Sequence, residues 1–284
     1  KLTSFFASRW GIITVGALFG FLAAYLVTLG NPPNMGICVA CFERDIAGAL
    51  GLHRAPVVQY LRPEIPAFVL GSLFAALTFG EFRPRAGSSP IIRFMLGIFA
   101  MVGALVFLGC PWRALVRLSG GDLNGVVGIA GLAGGIGIGG LFLKKGFSLG
   151  RAHPGHKFSG WVMPVVMLGL VVMVFAEPDF IFRSEKGPGS MYAAVGIALG
   201  VGLLIGFLAQ RTRFCTMGAI RDALVLKDFH LLFGIIAFVL AALVTNFAIG
   251  RVNVGIEAQP VAHSDHVWNF LGMVLAGMAF SMAG

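Results

Sequence analysis

The sequence predicts an all-α integral membrane protein, a multi-span helical bundle. Three observations carry this prediction: 57% of the 284 residues are hydrophobic, only 12% are charged, and the mean hydropathy is +0.89. A soluble domain carries about 25% charged residues, so this chain has too few polar groups to cover a water-exposed surface. The 41 glycines fit the same class, because glycine lets membrane helices approach closely. We expect a single membrane domain over residues 1–284.

Eight nearly charge-free segments have a length that approaches the roughly 20 residues needed to cross a bilayer. They lie at about 11–30, 65–80, 94–110, 125–143, 160–176, 190–209, 230–250 and 267–284. Pairs of glycines four residues apart, Gly131/Gly135, Gly196/Gly200 and Gly202/Gly206, predict tight helix packing in these spans. A basic face for nucleic acid is not apparent, so the net charge of +9 is attributed to loops beside the membrane.

The distribution of Lys and Arg predicts the orientation of the chain. If the predicted spans alternate in direction, twelve of the 21 Lys and Arg residues, Lys1 among them, fall on the side of the N-terminus and five on the other. Cytoplasmic loops carry the excess of positive charge. We therefore expect a multi-pass protein of the cell inner (plasma) membrane with a cytoplasmic N-terminus.

Three short amphipathic segments, 38–52, 110–118 and 215–226, each begin with a cysteine and carry charge. They are too short to span, and we expect re-entrant half-helices that enter the membrane and return. Irregular backbone at this depth must be surrounded by protein or line a cavity, and transporters place substrate at such broken helices.

An internal repeat relates two of these segments. Cys38 and Cys215 each open a Cys-x5-Arg-Asp pattern, which ends in Arg44-Asp45 and in Arg221-Asp222. The first repeat, about 10–177, holds five spans, and an odd number inverts the second repeat, about 188–284. We therefore expect an inverted repeat with an hourglass-like path.

The second repeat lacks a counterpart of Cys110-Pro111. Cys110 lies 72 residues after Cys38, so its counterpart would fall just past Gly284. The second repeat therefore looks truncated at its C-terminal end, and we expect a matching turn and about two further spans in the intact protein.

The candidate substrate path consists of Cys38, Cys110, Cys215 and, with less support from the repeat, Cys41. Helix N-termini offer free N–H groups and favour anions, and thiols there are polarisable. Arg44, Arg113 and Arg221 are predicted to attract anions, to have a structural role in which Asp45 and Asp222 neutralise their arginines, or to do both.

The motifs in this chain resemble those of the YeeE/YedE sulphur-transport family, and more narrowly the YedE-related membrane proteins of selenium metabolism. The matching stretches are 30–41, 44–54, 109–113, 120–124, 144–151 and 213–215. The resemblance implies uptake of a thiosulphate-like anion, with functional cysteines at Cys38 and Cys110 and a further one past Gly284. It also implies a small cytoplasmic sulphur-carrier partner of the TusA/SirA type.

The sequence therefore predicts a transporter of a small sulphur- or selenium-containing anion, not an enzyme, with no cofactor and no metal. Cys38-x2-Cys41 lacks a second pair at zinc-site spacing. Two alternatives stay open: a membrane thiol oxidoreductase that uses Cys38 and Cys41, and a docking subunit for a selenium-handling enzyme.

Overall fold

A computed structural model describes residues 5–86 and 89–283 and shows a helical bundle with one two-residue β-pair. The predictions that concern Lys1 and Gly284 lie outside these residues. The helices are α1 (Arg9–Thr28), α2 (Val39–Ala49), α3 (Glu64–Thr78), α4 (Pro90–Val106), α5 (Pro111–Ser119), α6 (Asn124–Lys144), α7 (Lys157–Ala176), α8 (Val195–Thr212), α9 (Thr216–Arg221), α10 (His230–Ala248) and α11 (His266–Ala283). Strands β1 (Arg85–Ala86) and β2 (His153–Pro154) pair antiparallel.

Seven helical segments within the described ranges are long and apolar enough to cross a membrane. The protein is therefore a multi-pass membrane protein, as predicted. Seven of the eight predicted spans fall in these segments, whereas the one at 65–80 forms the shorter helix α3 of 15 residues. At 1.5 Å per residue, α3 is about 22 Å long and falls short of a hydrocarbon core of about 30 Å.

Two helix crossings bring α1 against α10 and α3 against α8, and both depend on glycine. A Cβ atom on Gly20 would lie 2.0 Å from the carbonyl oxygen of Phe238, and one on Gly206 would lie 1.9 Å from that of Phe68. These separations leave no room for a side chain, so the backbones meet directly. Gly16 lies four residues before Gly20 and makes the same kind of contact with the partner helix.

Only some of the glycine pairs predicted to pack against another helix do so. Gly131 and Gly135 pack on the backbone of α11, where added Cβ atoms would lie 2.4 and 2.1 Å from carbonyl oxygens. Gly202 likewise packs on α3. The prediction for Gly196 and Gly200 is wrong, because a Cβ atom on either would meet no heavy atom within 4 Å among the described residues. Within residues 5–86 and 89–283, no helix packs against that face of α8.

The connections between helices gather at two ends of the bundle, which we call the two rims. At the first rim, β1 pairs with β2, and Arg211 at the end of α8 donates to Glu81 after α3 at 2.8 Å. At the second rim, the N–H of Phe182 donates to the carbonyl of Ala49 and that of Asn253 to Gly120, each at 2.9 Å. Hydrogen bonds thus fix the loops of each rim to one another.

Large apolar side chains cover the outside of the bundle. Helix α7 buries only Pro164, Leu170 and Val174, and most of its other apolar side chains are exposed. Such a surface would be unstable in water and suits lipid.

Candidate functional site

Cysteines begin the three short helices at the positions that the sequence predicts. Cys38 is the N-cap of α2, and its Sγ accepts from the N–H of Cys41 at 3.4 Å. Cys215 caps α9 in the same way, and its Sγ accepts from the N–H of Gly218 at 3.3 Å. Each sulphur satisfies one of the N–H groups that a helix start leaves free.

Cys110 is also an N-cap, but its side chain makes no capping hydrogen bond. Pro111 occupies the first turn of α5, where its fixed φ angle favours helix and its missing N–H costs nothing. The Cys110 thiol therefore does not cap α5 and can interact with other groups.

The segment 215–226 differs in detail from the prediction. Only Thr216–Arg221 is α-helical, and Asp222–Leu226 continues as a π-helical turn. The segment ends at Lys227, which has φ 58° in the left-handed region. The charged pair Arg221-Asp222 thus lies where the helix changes its hydrogen-bonding pattern.

A cluster of four aromatic rings connects the starts of α5 and α9 with the middle of the bundle. The Trp112 ring lies 5.3 Å from Phe19 in the middle of α1, 5.7 Å from Phe214 and 5.8 Å from Phe238 in the middle of α10. Trp112 directly follows Cys110-Pro111, and Phe214 directly precedes Cys215. The cluster thereby brings these two cysteines to one level of the bundle.

Cys110 and Cys215 line the same cavity, which has a volume of about 360 Å³. Met101 from α4 and Met217 from α9 add two thioethers to its wall. We call this space the sulphur cavity and define it by these four residues. Thiols and thioethers are polarisable and form weak hydrogen bonds, so the wall favours soft ligands.

The polar groups of the sulphur cavity are few. The Thr216 hydroxyl borders it and has no hydrogen-bond partner among the described residues, although it is buried. Glu43 from α2 contributes an exposed carboxyl group, and the lining residues include no Lys or Arg. A ligand in the cavity therefore meets a mainly apolar wall with sulphur atoms, one hydroxyl group and one carboxyl group, and no cationic side chain among the described residues.

Cys38 and Cys41 lie behind Cys110 and do not line the cavity. The N–H of Cys110 donates to the Sγ of Cys38 at 3.5 Å, and the Sγ of Cys41 donates to the carbonyl of Leu108 at 3.4 Å. Both thiols are fully buried. The structure thus brings three predicted cysteines together at the starts of α2 and α5, but only Cys110 and Cys215 reach the cavity.

Arg113 is fully buried, and its guanidinium group donates hydrogen bonds to neutral partners. It donates to the carbonyls of Asn34 at 3.0 Å and Val261 at 2.6 Å, to the carbonyl of Leu108, and to the Sγ of Cys41 at 3.3 Å. These contacts tie α5 to two loops. They favour the structural alternative for Arg113 over anion attraction.

Arg44 and Arg221 also have protein partners. Arg44 pairs with Asp45 at 2.8 Å, and Arg221 pairs with Asp222 at 3.1 Å, so both copies of the repeat form the same neighbouring pair. Asp45 has a second partner, because the buried Nε of Arg62 donates to it at 2.9 Å. The structural alternative is therefore favoured for these four residues as well.

The sequence analysis missed several residues of the site. Met101, Met217 and Glu43 carry no motif of their own, although Met217 follows Cys215 by two residues much as Cys41 follows Cys38 by three. The buried pair of Arg117 and Asp122, 2.5 Å apart, was also missed. The sequence could have indicated this pair, because an arginine within a segment at membrane depth usually pairs with an acidic residue.

A comparison with protein-family models and with curated proteins found no match to the chain. Among the described residues, no three His, Cys, Asp or Glu side chains form a group that could hold a metal ion. The functional argument therefore depends on the geometry of the site.

Proposed function

We propose that the protein transports a small sulphur- or selenium-containing anion through a path that includes the sulphur cavity. One observation carries the proposal: thiols from the two halves of the chain, Cys110 and Cys215, face one cavity inside a multi-pass membrane protein. The added thioethers of Met101 and Met217 make its wall soft. A soft anion such as thiosulphate, which carries a polarisable terminal sulphur, loses less on leaving water for such a wall than sulphate does.

The proposal includes an inverted repeat with re-entrant half-helices. The two glycine crossings support it, because α1 and α8 each precede a half-helix that begins with a cysteine, and α3 and α10 each follow one. By this order along the chain, the crossing of α1 with α10 becomes the crossing of α3 with α8 when the repeats are exchanged. The contacts Gly20–Phe238 and Gly206–Phe68 lie at these two crossings. Inverted repeats of this kind are common in secondary transporters.

The aromatic cluster supports an hourglass-like path. Trp112 and Phe214 lie in the middle of the bundle and also border the sulphur cavity. In the proposal, α2 and α5 reach this level from the second rim and α9 reaches it from the first. The rings then form the narrow part of the path, beside Cys110 and Cys215.

We further propose that the first rim is cytoplasmic in the cell inner (plasma) membrane. The excess of Lys and Arg falls on the connections of that rim, as the positive-inside rule requires. The resemblance to the YeeE/YedE family extends this proposal to a cytoplasmic sulphur carrier of the TusA/SirA type, which would receive the sulphur or selenium at this rim.

The test is uptake into proteoliposomes by the purified protein, with thiosulphate, selenite and sulphate as substrates. We expect uptake of a soft anion in preference to sulphate, and we expect Cys110→Ala and Cys215→Ala each to reduce it at least tenfold. Cys41→Ala is the matched control, because this buried thiol does not line the cavity. Unchanged uptake by both cavity variants would refute the path.

The same experiment addresses the redox alternative. A helix N-terminus that carries Cys38-x2-Cys41 favours it, since such positions activate thiols. Full burial of both thiols disfavours it, because a redox partner must reach the sulphur atoms. An oxidoreductase predicts no uptake with any variant, and it predicts that Cys38 and Cys41 change between thiol and disulfide with the redox state. A docking subunit predicts no flux with any variant.

A further inference from the structure

Glu64, the first residue of α3, carries a carboxyl group for which the transport proposal has no role. Its side chain is fully buried where α3 meets the loop after α1 and the segment before α8. Its Oε1 accepts a hydrogen bond from the Nδ2 of Asn31 at 2.9 Å. Its Oε2 is buried and has no hydrogen-bond partner within the described ranges.

The charged and titratable groups around Glu64 leave its carboxyl group uncompensated. Arg62 is the nearby cation, and Asp45 from α2 is a second anion. Tyr60 and Tyr192 add neutral phenols, stacked with 4.3 Å between their centroids.

The guanidinium of Arg62 is already committed to other partners. Its Nε donates to Asp45 at 2.9 Å, its Nη1 to the carbonyl of Met191 at 2.8 Å and its Nη2 to that of Pro188 at 2.7 Å. An ion pair with Glu64 would have to break this set.

An ionised carboxylate in such a place is costly, because it has lost its water and forms no ion pair with a described residue. A buried group in this position binds a proton instead. We propose that Glu64 is a proton-binding site of the protein and that it is a neutral carboxylic acid where α1, α3 and α8 meet.

The hydrogen bonds of Asn31 connect this proton to the candidate path. The Asn31 Oδ1 accepts from the N–H of Ala193 at 2.9 Å, and its Nδ2 also donates to the carbonyl of Gly36 at 3.1 Å. Gly36 lies two residues before Cys38. Ionisation of Glu64 requires water or Arg62 to enter this junction, and it therefore loosens the loop that leads into α2. This link rests on the proposed function and makes transport proton-linked.

Infrared spectroscopy of the purified protein tests the proton directly. A protonated carboxylic acid has a C=O stretch that an ionised carboxylate lacks, and the band shifts in D₂O. We expect this band at neutral pH in the native protein and its loss in Glu64→Gln, which has the shape of the protonated acid and should fold.

The matched control for the infrared experiment is Glu81→Gln. Partial desolvation acts to raise the pKa of Glu81, but hydrogen bonds from Arg211 and Gln210 outweigh it and lower the pKa below its ordinary value. Glu81 is therefore ionised at neutral pH, and its variant should keep the band. A band that survives Glu64→Gln, or its absence from the native protein, would overturn the proton site.

Uptake under an imposed pH gradient tests the link to transport. We expect the native protein to change its uptake rate several-fold with the gradient and Glu64→Gln to respond less than twofold. A native-like response in Glu64→Gln would overturn the link. Absence of uptake in the native protein would instead refute the proposed function, while the infrared band would still decide the proton site.

Discussion

The backbone of Gly206 in α8 lies against the carbonyl group of Phe68 in α3, so closely that a methyl group on Gly206 would stand 1.9 Å from the oxygen. Gly20 in α1 has the same relationship with Phe238 in α10, at 2.0 Å. Both crossings are thus built on the same kind of contact, in which a glycine of one helix lies against the backbone carbonyl group of a phenylalanine in the other. The strongest constraints on helix spacing are therefore found at these two positions.

The first prediction concerns these glycines. Gly20→Ala and Gly206→Ala should each lower the free energy of unfolding by about 1–3 kcal/mol, because the helices must move apart. Gly200→Ala is the matched control on α8, where an added Cβ meets nothing within 4 Å. It should be neutral or stabilising by up to about 1 kcal/mol, since alanine favours helix. Thermal unfolding in detergent measures all three, and equal losses would contradict the crossing geometry.

The second prediction compares the two aspartates of the repeat. Asp45→Asn removes the partner of the fully buried Arg62 and should cost about 3–5 kcal/mol. Asp222→Asn affects a pair whose arginine is substantially exposed, so the expected cost is below about 1 kcal/mol. Chemical unfolding in mild detergent separates the two variants. A larger loss for Asp222→Asn would mean that the buried pair does not stabilise α2.

The third prediction concerns the accessibility of the thiols. Cys215 is exposed, whereas Cys38 and Cys41 are fully buried. N-ethylmaleimide should therefore modify Cys215 at least tenfold faster than either of them, as followed by mass spectrometry of peptides. Denatured protein, in which all thiols react alike, is the control. Rapid modification of Cys41 in the folded protein would contradict its placement behind Cys110.

The fourth prediction concerns Arg113. Arg113→Lys keeps the positive charge but replaces the planar guanidinium group with a single ammonium group. The ammonium group cannot reach all of the carbonyl groups that Arg113 contacts, so some buried acceptors lose their hydrogen-bond donor. We expect a loss of about 1–3 kcal/mol for each acceptor left without a partner. Arg221→Lys is the matched control and should change stability by less than about 0.5 kcal/mol, because its position is partly exposed. Similar stability of both variants would show that the Arg113 contacts contribute little.

Local features of the sequence predicted much of the fold. Apolar runs located the helices, and the cysteines marked the starts of α2, α5 and α9, because both signals act within a few residues. Glycine spacing did not distinguish Gly202/Gly206 from Gly196/Gly200, since the pattern does not reveal which face another helix covers. The difference arises only when α3 packs on α8.

The parts of the site that the sequence did not predict depend on long-range contacts. Arg62 pairs with Asp45 through a loop that folds back on α2, and Met101, on a distant helix, lines the same cavity as Cys215. Neither relationship follows from spacing along the chain. The short helix α3 was overestimated for a different reason, because the apolar run continues past Thr78 into the turn at Phe79 and Gly80.

The sulphur cavity has a consequence for selectivity. Its lining includes one carboxyl group, Glu43, and no Lys or Arg among the described residues, so an anion placed there would gain no Coulomb attraction from a neighbouring cationic side chain. The energy of dehydration then has to be recovered through contacts with polarisable sulphur. In a transporter built in this way, anions of equal charge rank by how easily they shed water, with large, diffuse ions ahead of compact ones, and basicity counts for little.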